Sequence, residues 1–413
     1  MKLRKRKELP TINENKDLTD DIIEEIMDEL ADKTVETEDW NERIKKHKWR
    51  FRRRLVLGIL FSLLSVIGIY VLLTTQTYSN IQILEHVGEQ RGGIYIQFAN
   101  GVLCYGKDGV VFTNTNGQEL WNQPYQMKHP IAVVADETVA IADRGGNTIS
   151  VFDKQGLKGE ITTLLPIEKI SVSKQGIVAA LLENGDTPQI ICYDIVGNIL
   201  VEHKITVSNT GYPLDLALSP NGELLFVSYL YTQEGIITSK ISCFNFGEVG
   251  QDKTDRIVEQ QIYEDKIVPF LSFMTQDTAL VVSDSKLEYY KGSQLPQSHA
   301  VIEMDKPIKS VFHSEKYVAV ILQGEAKNEL RVYDRNAREI SVSEFEGEYS
   351  NVAIFGEQIV LYEGNRCIIF MKSGHKRFEG EMNAEIAEIF PVFGINKYFM
   401  VSANGLEQIR LVR

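Results

Sequence analysis

A run of 19 uncharged residues, from Leu55 to Leu73, is the most hydrophobic stretch of the chain. At 1.5 Å per residue, a helix of this length spans roughly 30 Å, which matches the hydrocarbon core of a bilayer. Backbone polar groups in lipid must be hydrogen-bonded within the segment itself, so the run predicts a single transmembrane helix over residues 55–75. It begins too far from the N-terminus, and is too long, for a cleavable signal peptide.

The charged residues around this run predict its orientation. Basic residues cluster just before the run, and the next Lys or Arg after it is Arg91. Positive residues close to a span stay in the cytoplasm. The pattern therefore predicts a cytoplasmic tail over residues 1–54 and an extracellular C-terminal region. The topology-setting residues are Lys45, Lys46, Lys48, Arg50, Arg52, Arg53 and Arg54.

Within the tail, residues 18–31 carry apolar side chains at helical spacing on one face and acidic side chains on the other. A helix this short is marginal in water by itself. We therefore expect the apolar face to bind a cytoplasmic protein, with self-association or a weakly helical arm as alternatives. The candidate partner-binding residues are Ile22, Ile23, Ile26, Met27 and Leu30.

Short β-like runs repeat through residues 78–413 with a period of about 40 residues. Tight turns, most of them of the form Asp/Asn-x-x-Gly, mark the period. Each turn follows a hairpin with apolar residues at both alternating positions, which favours strands packed between two neighbouring sheets. Eight such hairpins predict an all-β fold, a β-propeller of eight blades, with seven as the alternative. The clearest turns lie at 114–117, 153–156, 194–197, 334–337 and 371–374.

The last repeat has residues for three strands only, whereas a propeller blade needs four. Residues 81–87 alternate apolar and polar side chains and belong to no other repeat. We expect this segment to pair in the last blade and close the ring, which removes an open sheet edge.

Charge and chemistry narrow the function. Residues 85–413 hold 29 basic and 43 acidic residues, a balance that disfavours a nucleic-acid partner. The sequence has no known catalytic motif and its seven histidines are isolated, so we expect no catalytic residue, no metal ligand and no cofactor. The cysteines are too widely spaced for a metal motif and are predicted to be buried and unpaired. They are Cys104, Cys192, Cys243 and Cys367.

Two segments of the fourth repeat, 232–240 and 247–257, are longer than their counterparts in the other repeats. Loops on a rigid scaffold often carry binding residues, although tolerated insertions are the alternative. Residues 143–147 could suggest a phosphate-binding loop, but their place between two β-like runs predicts a hairpin turn. Asp215 lies in a strand before the turn at 219–222, and we interpret it as structural.

The sequence from Asn114 to Trp121 resembles the repeat of quinoprotein-like (PQQ-like) β-propellers, with Trp121 at the position of their docking tryptophan. The other repeats lack that tryptophan. Quinone-dependent enzymes with this fold carry adjacent cysteines and a calcium site, and this chain has no adjacent cysteines. The whole layout also resembles a membrane-anchored family of unknown function from Gram-positive bacteria, a resemblance that implies a cell-surface location.

Together these features predict a membrane-anchored extracellular β-propeller that acts as a non-enzymatic scaffold for proteins or glycans. One alternative is a transmembrane sensor that couples ligand binding by the propeller to the tail helix. Another is an enzyme, quinone-dependent or acting on the cell wall. Clustered acidic residues at the channel of the propeller would favour an enzyme, and a channel lined by small apolar residues would favour binding.

Overall fold

The computed structural model describes the backbone of residues 14–74 and 76–413, and the side chains of residues 22–30, 47–68 and 76–413. The chain divides into two compact units, Met1–Thr75 and Gln76–Arg413.

The first unit contains one continuous helix, α1 (Glu14–Thr74), which includes the predicted tail segment 18–31. The described apolar side chains between Leu55 and Ile67 are about half exposed or more. Among the side chains that the structure describes, no helix is both long and apolar enough to cross a membrane. Side chains 69–75 lie outside the described residues, so the span at 55–75 is only partly described and stays a prediction.

Within residues 76–413, the strands form eight antiparallel sheets of four strands each. Seven sheets consist of four consecutive strands, and the first strand of each borders a central channel. This arrangement is the predicted β-propeller, and its eight sheets make the seven-bladed alternative wrong. The sheets are numbered below as blades 1 to 8 in chain order.

The strand preceding all these blades, β1 (Asn80–Gly88), belongs to blade 8. Blade 1 comprises β2 (Ile94–Phe98), β3 (Gly101–Gly106), β4 (Gly109–Asn114) and β5 (Glu119–Pro124). Blade 2 comprises β6 (Pro130–Ala135), β7 (Thr138–Asp143), β8 (Thr148–Asp153) and β9 (Gly156–Thr162). Blade 3 comprises β10 (Ile167–Val172), β11 (Val178–Leu182), β12 (Gln189–Tyr193) and β13 (Ile199–Lys204). Blade 4 comprises β14 (Tyr212–Leu218), β15 (Leu224–Gln233), β16 (Ile236–Asn245) and β17 (Ile257–Glu264).

Blade 5 comprises β18 (Phe270–Thr275), β19 (Thr278–Val282), β20 (Lys286–Lys291) and β21 (Gln297–Glu303). Blade 6 comprises β22 (Ile308–His313), β23 (Tyr317–Leu322), β24 (Asn328–Asp334) and β25 (Glu339–Phe345). Blade 7 comprises β26 (Asn351–Phe355), β27 (Gln358–Glu363), β28 (Arg366–Met371) and β29 (Lys376–Glu381). Blade 8 comprises β30 (Ile386–Pro391), β31 (Lys397–Ser402), β32 (Gly405–Val412) and β1. The short helix α2 (Val207–Thr210) precedes β14, and α3 (Glu248–Gln251) and a 3-10 turn (Thr254–Arg256) lie between β16 and β17.

The eight predicted hairpins are the second and third strands of the eight blades. These strands are buried on both faces because each blade packs between two others. In β7, Val139 and Ile141 pack in a cluster with blade 1, whereas Ala140 and Ala142 pack with blade 3. One such hydrophobic cluster joins each pair of neighbouring blades in the described propeller. The eight clusters include the one between blades 8 and 1.

Two sequence predictions concern side chains in these clusters. All four cysteines are buried and free, as predicted. Burial raises the pKa of each thiol, for example that of Cys192 to about 12, so these cysteines are unreactive packing residues. Trp121 of blade 1 stacks on Phe152 of blade 2, with the ring centroids 5.2 Å apart and the planes 8° from parallel.

Blade 8 closes the ring by pairing β1 with β32 in an antiparallel ladder, with Asn80 opposite Val412 and Gln82 opposite Arg410. The segment expected to close the ring, 81–87, lies within β1. The backbone N–H of Tyr78 donates to the carbonyl of Arg377 at 2.8 Å, which extends the contact to blade 7. The first and last strands of the propeller therefore belong to one sheet.

A cross-link across this seam tests the pairing. Directly opposed residues in an antiparallel ladder have Cα atoms about 4.5–5.5 Å apart, a separation that a disulfide spans. We expect Gln82→Cys combined with Arg410→Cys, both at exposed positions, to form an intramolecular disulfide under mild oxidation. The free energy of unfolding should rise by about 2–4 kcal/mol.

Non-reducing electrophoresis and denaturant unfolding of the full chain in detergent measure both effects. Each single-cysteine variant is the control and should show neither. Disulfides formed only between chains would contradict the closed ring.

Candidate functional site in the central channel

The first strands of blades 1 to 7 surround a cavity of about 820 Å³ along the axis of the propeller. Its wall is mostly apolar, with Ile131, Val133, Ile170, Leu216 and Leu271 among the lining residues. A cavity of this size falls within the usual range of ligand sites, about 300–1,000 Å³. The chemistry of the channel depends on the few polar side chains set into this wall.

A shared irregularity places several of these polar side chains. The first strands of blades 3, 4, 6 and 8 each shift register near their start, at a β-bulge that redirects the next side chain. The residues after the bulge include Lys169 in blade 3, Asp215 in blade 4 and Glu388 in blade 8. The two carboxylates thus lie in blades on opposite sides of an eight-membered ring.

Asp215 links three blades. One carboxylate oxygen accepts a hydrogen bond from Lys169 Nζ at 2.8 Å, and the other accepts one from the backbone N–H of Leu271 in blade 5 at 2.7 Å. Lys169 Nζ also donates to the carbonyl of Leu214 at 2.7 Å. Because both oxygens of Asp215 and the ammonium of Lys169 have partners, this group stabilises the channel wall.

Glu388 occupies the corresponding position at the junction of blades 7, 8 and 1. It is buried and contacts neutral groups: the backbone N–H of Ile389 at 3.1 Å, the hydroxyl of Tyr362 at 3.5 Å and the backbone of Gln97. Burial, the largest effect, raises the pKa of Glu388 to about 7. The carboxyl is therefore partly protonated at neutral pH.

A serine and a histidine meet between blades 5 and 6. Ser272 Oγ lies 2.6 Å from His313 Nε2, and burial lowers the pKa of His313, which favours the neutral imidazole. A Ser–His pair acts as a nucleophile when a third group orients the histidine. In the described part of the chain no side chain hydrogen-bonds His313 Nδ1, so the pair lacks the orienting side chain of a catalytic triad.

One end of the channel carries exposed charges, and this end is called the channel mouth, defined by Asp136, Lys174 and Glu315. Lys174 Nζ lies 2.8 Å from a carboxylate oxygen of Glu315 and 3.3 Å from one of Asp136. The hydrogen bond to Glu315 raises the pKa of Lys174. The three side chains come from blades 3, 6 and 2, so the pair of Lys174 and Glu315 joins two blades that are not neighbours, whereas Asp136 lies on the blade next to that of Lys174.

The sequence-predicted residues lie elsewhere. The tail residues Ile22, Ile23, Ile26, Met27 and Leu30 are exposed on α1, as are Lys48, Arg50, Arg52, Arg53 and Arg54. The side chains of Lys45 and Lys46 lie outside the described residues. Among the side chains the structure describes, no three His, Cys, Asp or Glu residues are grouped so as to hold a metal ion.

The segments singled out in the sequence have clear positions in the propeller. Residues 143–147 form the predicted hairpin turn between β7 and β8. Residues 232–240 include the tip of the β15–β16 hairpin, whose strands are ten residues long. Residues 247–257 fold into α3 and the 3-10 turn that follows it.

Sequence reasoning missed the polar residues of the channel. Lys169 and Asp215 are 46 residues apart, Ser272 and His313 are 41 apart, and Lys174 and Glu315 are 141 apart. No local motif connects residues at such distances. Asp215 lies in its predicted strand, but its link to three blades depends on a bulge that the sequence does not reveal.

The comparisons with known proteins identify a family. The model of a "Family of unknown function (DUF5711)" matches residues 74–411. No curated protein matches the chain.

Among solved structures, the chain is similar to BamB from Moraxella catarrhalis, with 12% identity, coverage of 80% of this chain and 100% of that one, and a TM-score of 0.48. It is also similar to a putative 6-phosphogluconolactonase from Bacteroides fragilis, with 12% identity, 71% and 94% coverage and a TM-score of 0.43. It is similar as well to the Pan2 WD40 domain of Neurospora crassa, with 13% identity, coverage of 55% of this chain and 70% of that one, and a TM-score of 0.37.

The raised pKa of Glu388 predicts a pH-dependent stability. The folded protein holds this proton more tightly than the unfolded chain does, so the contribution of Glu388 is most favourable below about pH 4.5 and is lost as the pH rises to about 7. Glu388→Gln removes the ionisation. We expect the variant to be more stable than the unmodified protein at pH 8, by up to about 3 kcal/mol at 1.36 kcal/mol per pH unit.

Denaturant unfolding of the full chain in detergent, at pH 5 and pH 8, measures the difference between the two proteins. Glu344→Gln, at an exposed position in β25, serves as the control and should show little change with pH. A difference for Glu388→Gln that is equal at both pH values would contradict the assignment.

Proposed function

Because the chain belongs to the family of unknown function DUF5711, we propose a function from its own geometry: a membrane-anchored β-propeller, outside the cell, that binds a protein partner at its channel mouth. The observation that carries this proposal is the channel, about 820 Å³ in volume and lined by both apolar and polar residues, which ends in exposed charges. The role is that of an interaction scaffold and is non-enzymatic.

The chemistry of the mouth defines the partner. Lys174 sits between the carboxylates of Asp136 and Glu315, and exposed ion pairs of this kind contribute only about 0–1 kcal/mol. A basic side chain of a partner can therefore replace Lys174 between the carboxylates at little cost. Apolar side chains beside it would enter the channel, so a protein segment with Lys or Arg next to aliphatic residues fits better than a glycan. The acidic balance of residues 85–413 attracts such a segment.

Membrane anchoring rests on the first unit. The uncharged run of residues 55–73 lies in α1, and its described apolar side chains are exposed, as lipid-facing side chains would be. Arg53 stacks over Trp49 at 5.6 Å, close to the start of the run, where aromatic and basic residues suit the cytoplasmic interface. In this proposal residues 1–54 are cytoplasmic and the propeller is extracellular.

The absence of an enzymatic role is part of the proposal. Both oxygens of Asp215 are hydrogen-bonded, to Lys169 and Leu271, and the Ser272–His313 pair lacks an orienting side chain in the described channel. The stacking of Trp121 on Phe152 supports a kinship with quinoprotein-like propellers in the way that blades dock. That kinship concerns packing and supplies no chemistry.

A transmembrane sensor is the second candidate, and one observation favours it. The helix α1 runs without interruption through the tail segment 18–31 and the predicted span. A continuous helix can transmit rotation or association, whereas a flexible linker cannot. The exposed apolar face of Ile22, Ile23 and Ile26 would then contact the cytoplasmic partner.

A charge reversal at the channel mouth tests the scaffold proposal. We expect Glu315→Lys to reduce cross-linking of the extracellular partner in intact cells at least tenfold, because two lysines then repel a basic side chain. Glu344→Lys makes the same charge change on the outer strand of the same blade, and should leave cross-linking unchanged. Equal recovery with both variants, measured by pull-down and mass spectrometry, would count against binding at the mouth.

The tail helix is tested in the same assay. Ile23→Asp combined with Ile26→Asp places charge on the apolar face and should abolish recovery of cytoplasmic partners while extracellular ones remain. The control, Ile23→Leu with Ile26→Leu, keeps the face apolar and should retain both. If the Asp variant also recovers both sets, the tail only sets topology.

A further inference from the structure

A second cavity, of about 180 Å³, lies between blades 3 and 4, away from the central channel. Its floor is apolar and is formed by Ile190 and Cys192 of β12 together with Leu225 and Phe244 of blade 4. A cavity of roughly 150 Å³ holds a benzene molecule, so this one has room for a ring or a branched aliphatic group.

The rim of this pocket comes from the insertion in blade 4. Most blades join their third and fourth strands by a short turn, whereas blade 4 inserts α3 and the 3-10 turn. The insertion ends on two consecutive residues in the left-handed region, Asp255 with φ 53° and Arg256 with φ 60°. Residues other than glycine adopt this conformation at a cost in free energy, and such strain tends to occur where function requires it.

The rim carries one guanidinium, that of Arg256, and two carboxylates, those of Asp255 and Glu202. Arg256 Nη1 donates to the carbonyl of Phe246 over a long 3.4 Å, and no carboxylate among the described residues forms an ion pair with Arg256. The Asp255 carboxylate is exposed and acts electrostatically on His203. Glu202 also borders the pocket, and its carboxylate lies 3.3 Å from Lys204 Nζ in an exposed ion pair.

His203 completes the rim. Its ring contacts Phe244, with the centroids 4.9 Å apart and the planes tilted by 55°. Burial is the main influence on His203 and lowers its pKa, which favours a neutral imidazole. The rim therefore holds Arg256 together with Asp255, its neighbour on the insertion, and with Glu202, above an apolar floor.

We propose that this pocket binds a free amino acid with an aliphatic or aromatic side chain. Arg256 binds the carboxylate of the ligand, Asp255 binds its ammonium group, and the side chain enters the floor between Leu225 and Phe244. A ligand with both charges can pair with both Arg256 and Asp255. A ligand with only a carboxylate leaves Asp255 without a charged partner, and a ligand with only an ammonium group leaves Arg256 without one. The pocket is separate from the channel, so this ligand is additional to the protein partner proposed above.

Calorimetric titration of the full chain in detergent with L-leucine tests the proposal. We expect saturable binding at one site per chain. Arg256→Gln and Asp255→Asn should each weaken it at least tenfold, because charge-assisted hydrogen bonds are lost. Asparagine tolerates the left-handed region well, so Asp255→Asn should fold normally. The absence of saturable binding at 10 mM leucine would overturn the proposal.

Two derivatives separate a free amino acid from the terminus of a peptide. N-acetyl-L-leucine keeps the carboxylate but has no ammonium, as at a C-terminus, and L-leucinamide keeps the ammonium but has no carboxylate, as at an N-terminus. We expect both to bind at least tenfold more weakly than leucine. Binding of either one as tight as that of leucine would show that a peptide end is the ligand and would overturn the proposal.

Relief of the backbone strain provides a test with a structural control. Arg256→Gly removes the guanidinium and relaxes the left-handed position, so Tm should rise while leucine binding is lost. Glu234→Gly relaxes another left-handed residue, with φ 52°, at the tip of the β15–β16 hairpin in the same blade. It should raise Tm and leave leucine binding unchanged. Retained leucine binding by Arg256→Gly would refute the assigned role.

Discussion

The pairing of β1 with β32 is the constraint on which the rest of the propeller depends. Each blade presents apolar side chains on both of its faces, so each needs a neighbour on both sides. In an open ring, the cluster of Tyr95, Val102, Phe390 and Phe399 between blades 1 and 8 would lie in water. Two-sided burial and ring closure are therefore one requirement. The antiparallel ladder of β1 and β32 meets it by placing both ends of the propeller in a single sheet, and it leaves no unpaired edge at the seam.

Closure also creates the channel and determines which residues meet in it. The bulges in the first strands direct Lys169, Asp215 and Glu388 towards neighbouring blades, and Asp215 and Glu388 do so from opposite sides of the ring. One of the two carboxylates, Asp215, is balanced by a lysine, whereas Glu388 is buried among neutral groups, and this burial raises its pKa to about 7. The exposed ion pairs at the channel mouth stabilise it less than the part-buried hydrogen bonds of Asp215 stabilise the channel wall. This difference suits a rigid frame with an adaptable entrance.

The sequence predicts the features that repeat in every blade, but it does not predict the side-chain contacts between particular blades. The hairpins, the tight turns and the missing strand of the last blade all follow from local patterns, since two-sided burial leaves apolar residues at both alternations. The contacts of Asp215 with Lys169 and of Lys174 with Glu315 depend on blade number and strand register, which no local pattern contains. The insertion at 247–257 was visible as extra length. Its left-handed residues, Asp255 and Arg256, and the pocket beside them were not.

The central functional claim is that the propeller lies outside the cell on a single membrane anchor, and cysteine labelling in intact cells tests it most directly. The four native cysteines are buried and have raised thiol pKa values, so we expect them not to react with a membrane-impermeant maleimide. Lys316→Cys reports on the channel end of blade 6, and Glu25→Cys reports on the tail helix; both positions are exposed. We expect Lys316→Cys to be labelled in intact cells and Glu25→Cys to be labelled only after permeabilisation. Labelling of the tail in intact cells, or of the propeller only after permeabilisation, would contradict this claim.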